Sequence, residues 1–213
     1  MGEYMRAHGG AIAVAVILAT AALSERSGAQ TQQQVKWCAG KDGASRDQQI
    51  SACTAVIQST QGSPKQLAKA FQMRGTAYFY KGDYDRAIAD YGQGIKSDPQ
   101  NSEIFDNRCW TRATVNQLQD ALKDCIESLR LRPNYAPTTD TLGFVYLKLG
   151  QLDLAIATYS AALKLDPKSA YSLYGRGIAR LKTGDTAAGR ADIAASKTIK
   201  DVAKEMAGYG IRP

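Results

Sequence analysis

Histidine is almost missing from this chain: one residue in 213, His8. Beyond that position, histidine-dependent triads, histidine metal sites and the commonest general acid–base side chain are excluded. The four cysteines include no CxxC pair, which argues against a four-cysteine zinc site and a thioredoxin-like redox helix. GxGxxG, P-loop and GxSxG sequences are absent too. No run of five lysines and arginines occurs, so the net charge of +7 reads as a mixed, solvated surface and not as a nucleic-acid patch. These absences point away from catalysis, and no enzyme activity, cofactor or metal is expected.

What is present begins with a leader. Arg6 gives a weakly positive start, Ala11–Leu23 is a thirteen-residue apolar run, and Ser27-Gly28-Ala29 offers small residues for cleavage before Gln30. That is the pattern of a secretory signal peptide, expected over 1–29. The run is short of the roughly 20 apolar residues that span a bilayer, which argues against a permanent anchor. Glu3 is unusual in such a start, and Met5 would open a cleaner signal. Arg6 stands where myristoylation wants Ser or Thr, and Cys38 follows Val35-Lys36-Trp37 and not the small residues of a lipoprotein site. Cleavage would remove two basic and two acidic residues, leaving the excess of seven unchanged. The mature chain is expected to be periplasmic or secreted, with no stable membrane insertion and no nucleic-acid partner.

The rest repeats with a period of thirty-four. Pro99, Pro133 and Pro167 recur in register, as do Gly75, Cys109, Gly143 and Gly177, then Ala87, Ala121, Ala155 and Gly189, then Tyr91, Cys125, Tyr159 and Ile193. Within a unit, Phe71, Gly75, Tyr78 and Phe79 and then Ala87, Ile88, Tyr91 and Ile95 follow three-and-four spacing, so each half is an amphipathic helix. Glycine in "KGDY" and "LGQL" suits the helix end between the halves. Each unit is therefore a helical hairpin. A lone hairpin cannot cover its own apolar stripe, so neighbours must stack into a solenoid.

The segments "FQMRGTAYFYKGDYDRAIADYGQGIKSDP" and "TLGFVYLKLGQLDLAIATYSAALKLDP" resemble the tetratricopeptide repeat family in their Gly, Tyr, Ala, aromatic, small residue and closing Pro. The resemblance implies an all-α fold, an α-solenoid of stacked hairpins wound as a right-handed superhelix. The units are expected at 68–101, 102–135, 136–169 and 170–203. The last is divergent, with Gly189 for Ala and Asp201 for Pro, and a capping helix and tail follow over 201–213. A degenerate hairpin is expected at 30–64.

Two patterns bear on the packing. Arg74, Arg108 and Arg176 take the seventh place of their units, and the same units have Asp90, Asp124 and Asp192 at the twenty-third; the third unit has Leu142 and Thr158. Charge and countercharge change together, which suggests that they meet across the hairpin. In an antiparallel hairpin Cys109 and Cys125 face each other where sister units set Gly against Tyr. Helix axes about 8–10 Å apart can bring such residues within disulfide reach. Cys38 and Cys53 repeat the arrangement. Of three possible connectivities, hairpin geometry favours Cys38 with Cys53 and Cys109 with Cys125, in keeping with export; buried free thiols remain the alternative.

What remains is recognition. The first helix of each unit should line a concave groove, and its second, fifth, ninth and twelfth places mark candidate contacts: Lys69, Gln72, Phe79, Asp106, Trp110, Asp140, Phe144, Tyr171 and Tyr174. Aromatic anchors beside acidic groups suggest a protein or peptide segment with apolar side chains and a positive group. Trp110 and Phe144 could equally pack between units. The Lys, Asn and Arg set by which some family members grip an acidic C-terminus is not at the matching places. The reading is an exported, periplasmic interaction scaffold from a Gram-negative bacterium. The alternatives are a thiol-active redox or holdase-like envelope factor using Cys109 and Cys125, and a subunit supporting a polysaccharide or peptidoglycan enzyme.

Overall fold

The structure, a computed structural model, describes residues 32–59 and 62–213; the expected signal peptide lies outside the described residues. Regular structure among the described residues is entirely helical. A short helix α1 over 32–38 precedes α2 (Arg46–Gln58). Four hairpins follow: α3 (Pro64–Tyr80) with α4 (Tyr84–Ser97), α5 (Ser102–Thr114) with α6 (Leu118–Leu131), α7 (Ala136–Lys148) with α8 (Leu152–Leu165), and α9 (Ala170–Lys182) with α10 (Thr186–Ile199). The short α11 (Ala203–Gly208) closes the order. No helix among the described residues is long and apolar enough to cross a membrane.

Local chemistry sets the helix ends. Ser45 and Ser63 make reciprocal capping boxes with Gln48 and Gln66, satisfying amides that the first turn leaves open. Between the paired helices the chain needs a left-handed residue, and Gly82, Gly150 and Gly184 supply it at φ 77°, 73° and 90°. Asn116 takes the same place in the second hairpin at φ 66°, a conformation asparagine tolerates better than most side chains.

Stacking follows from the faces these helices bury. The first helices α3, α5, α7 and α9 touch one another in sequence, whereas α4, α6 and α8 each pack between two first helices and α10 packs on α9. The first helices therefore form the inner layer of the stack. Within the first and third hairpins the two helices approach closely at position eight of the unit. A Cβ on Gly75 would stand 2.9 Å from the Tyr91 ring, and one on Gly143 would stand 2.8 Å from the Tyr159 ring.

The charged pairs meet across the hairpins. Arg74 donates twice to Asp90 at 2.8 Å, Arg108 to Asp124 at 2.8 and 2.7 Å, and Arg176 to Asp192 at 2.8 Å. Arg112 and Arg180 add a third donor to Asp124 and Asp192, at 2.6 and 2.8 Å. The aspartates are buried, so the forked geometry also satisfies groups that could not be left unpaired. Cys38 is bonded to Cys53 and Cys109 to Cys125.

Candidate functional site

The groove is built on α3, α5, α7 and α9, whose outward three-and-four positions look away from the second helices. Where the expected contact residues come to lie divides them into four groups.

At the first hairpin, Lys69 donates to Gln72 at 2.9 Å, and Gln72 donates across to Glu103 of α5 at 3.4 Å. Lys69 and Glu103 stand 3.7 Å apart and are both half exposed. This end of the groove is a charged, water-facing ledge. Phe79 turns to the hairpin end, where its ring meets Tyr80 and Tyr84, each at 5.5 Å.

Asp106 and Asp140 point into the joints between hairpins. Asp106 accepts from the Thr138 hydroxyl at 2.7 Å, and Asp140 accepts from the Ser172 hydroxyl. Burial pushes both carboxyls above the usual range, Asp140 to about 6. One oxygen of each, Oδ1, is engaged within the stack, by a residue thirty-two places along the chain in each case.

Trp110, Phe144 and Tyr174 come together as an aromatic floor. Trp110 and Phe144 have ring centroids 5.5 Å apart; Phe144 and Tyr174 are buried, whereas Trp110 is half-buried. Lys148 lies 5.3 Å from the centre of the Phe144 ring and donates to the Ala113 carbonyl at 3.0 Å. Burial lowers its ammonium below the ordinary lysine range.

Sequence reasoning left out what lies on this floor. Tyr209 packs against Trp110 at 5.3 Å and Phe144 at 6.0 Å, both edge-on. Val202, Met206 and Ile211 are buried in the same apolar cluster as Phe144, Tyr174 and Ile178. Tyr171, the remaining expected contact, donates to Glu205 at 2.7 Å and accepts from Lys200 at 2.6 Å. The spacing of Val202, Met206 and Tyr209 was a visible helical signal, but it reads equally as an end cap.

With this geometry in view, comparison with known proteins places the repeats. The family model described as tetratricopeptide repeat matches residues 68–101, and a second, described as TPR repeat, matches 143–184. These segments are tetratricopeptide repeats. Heat shock protein STI1 of Saccharomyces cerevisiae is 33% identical over 100 residues, 46% of this chain and 17% of that protein. The chain thus matches less than a fifth of the length of that curated relative. Among solved structures, MamA 41-end from Desulfovibrio magneticus RS-1 superposes with a TM-score of 0.71 at 16% identity, over 80% of this chain and 95% of that one. The first tetratricopeptide domain of Spaghetti (RPAP3), solved bound to the HSP90 peptide SRMEEVD, superposes with a TM-score of 0.55 at 25% identity, over 58% of this chain and 96% of that one. The solenoid is a tetratricopeptide-repeat fold.

Proposed function

We propose that this chain is a non-catalytic adaptor that receives a segment of another protein along its concave face, after export through a cleaved leader to the periplasm or the medium. The observation that carries the reading is the floor of Trp110, Phe144 and Tyr174, on which a stretch of polypeptide already sits. A surface that seats one segment through aromatic anchors has the chemistry to seat another. The peptide bound by the RPAP3 domain supports the same use of the fold. Because Asp106 and Asp140 each spend one oxygen between repeats, recognition falls chiefly to apolar side chains at the floor, with the half-exposed Lys69 and Glu103 as a polar rim.

The redox alternative meets an obstacle. Cys109 and Cys125 are both 0% exposed, and thiol–disulfide exchange requires an attacking thiolate to reach a sulfur.

A photo-crosslinking side chain placed at Lys69, on the groove rim, should capture a partner protein in its native envelope, and the same group at exposed Leu154 should not. Equal capture from both would overturn the groove as the docking face. Mass spectrometry of the mature protein should find a chain beginning at Gln30; a start at Met1 or Met5 would overturn export by cleavage.

A further inference from the structure

The stretch that follows α10 departs from the repeat pattern. Asp201 stands where three units place proline, and the helix that follows has six residues, against thirteen or more in each first helix of the hairpins. A helix that ends a solenoid by covering its last hairpin would meet α9 and α10. This segment goes further: Tyr209 reaches Trp110 on α5 and Phe144 on α7, so it runs along the inner face across three repeats. Val202, Met206 and Ile211 keep 1%, 3% and 4% of their surface.

Its hold is limited. A six-residue helix is far below the roughly 12–15 residues at which an isolated helix becomes even marginal, so it stays folded through the floor it touches. The polar tie of Lys200, Tyr171 and Glu205 is exposed, where such pairs contribute little. The hold thus rests on the side chains of Val202, Met206, Tyr209 and Ile211, and a short segment after the last hairpin held in this way can open locally without the stack unfolding.

Resting on the groove-binding reading, we infer that residues 202–211 are a displaceable occupant of the docking site. The partner segment that replaces them presents the same pattern: two aliphatic side chains four residues apart on a helical turn, an aromatic three further, and an aliphatic two beyond that. A tethered occupant competes at the high effective concentration of its short link, so it lowers the apparent affinity for the partner by the fraction of time that the floor stands free. The chain itself supplies the probe, because residues 201–213 contain the full pattern.

A fluorescent synthetic peptide of residues 201–213 is titrated by anisotropy against the full chain, against the full chain carrying Met206→Ser and Tyr209→Ala, and against that variant with Trp110→Ala added. The tail variant should bind at least about tenfold tighter than the parent, a difference of about 1.4 kcal/mol, and the Trp110 change should abolish the gain. Equal affinity for parent and tail variant overturns displacement and leaves groove binding standing. No binding to either folded protein overturns the inference as well, and the Lys69 crosslink then decides the broader reading by itself. Should the tail variant fail to fold, hydrogen exchange of the unaltered chain decides: amides of 203–211 opening at least about a hundredfold faster than those of α9 support a displaceable segment. Equal protection makes it a permanent part of the core.

Discussion

Asp140 is where a single residue sets a measurable property. Burial raises its carboxyl to about 6, and nearby Asp166 adds to the shift, whereas an unfolded aspartate titrates near about 3.9. Between those values the folded protein keeps a proton that the unfolded chain has released. Stability therefore falls as pH rises from about 4 to about 6, then levels. Asp140→Asn keeps an oxygen for the Ser172 hydroxyl without the charge. It should melt higher than the parent near about pH 7.5, with the gap closing towards about pH 4; thermal melts at the two pH values check this. Gly143 is a second such position. Its replacement by alanine drives a methyl into the Tyr159 ring at 2.8 Å, at a cost of about 1–3 kcal/mol. Gly92→Ala, whose Cβ would meet only Arg108 at 3.7 Å, should be neutral or stabilise by up to about 1 kcal/mol through helix propensity. Urea titrations of the two variants give the contrast.

At the scale of the element, each hairpin is closed by a different combination of devices. The second carries both a disulfide and the pair of arginines on Asp124. Removing Asp124 as Asp124→Ala leaves Arg108 and Arg112, each less than a fifth exposed, without their partner. Breaking a buried pair in this way costs about 3–5 kcal/mol, and equilibrium unfolding should show a loss of that order. The third hairpin reaches the same geometry with Leu142 and Thr158, so the charge pair is one solution among several. The Cys109–Cys125 bond closes a loop of about 15 residues, for which chain entropy predicts about 3 kcal/mol. Because both cysteines are fully buried, a mild reductant should release no thiol until the protein unfolds. Thiol titration in the folded state would detect the opposite, and early release would revive the redox reading.

For the whole molecule, stability is distributed along a stack in which each repeat leans chiefly on its neighbours. The first hairpin-like unit, α1 with α2, is held by the Cys38–Cys53 bond and a small cluster around Ala52, Ala70, Trp37 and Met73. Replacing both cysteines by serine should fray this end while α7 to α10 keep their protection, and residue-resolved hydrogen exchange would show it. Loss of protection throughout would mean that the stack unfolds as one unit. The segment after α10 changes this picture at the other end, since Tyr209 ties α9's hairpin to α5 and couples repeats that do not adjoin.

By itself, the sequence determined what depends on spacing along one chain. A period of thirty-four, helical stripes in each half, and glycine at turns such as KGDY and LGQL suffice for stacked hairpins. Cys109 facing Cys125 and Arg108 facing Asp124 follow from the register of a single hairpin. The candidate site was legible only in part, because a position on a helix face can look into the groove or into the next repeat after a small rotation. The spacing marks Asp106 and Asp140 as groove acids, and only the packing of neighbouring repeats shows that each also gives one oxygen to Thr138 or Ser172 of the next. Trp110 and Phe144 fell on the groove floor, but only the tertiary structure supplied what covers them. That Val202, Met206, Tyr209 and Ile211 fold back along the inner face depends on the curvature of four stacked repeats. Curvature is a sum of small inter-repeat rotations, and no local pattern in the sequence encodes it.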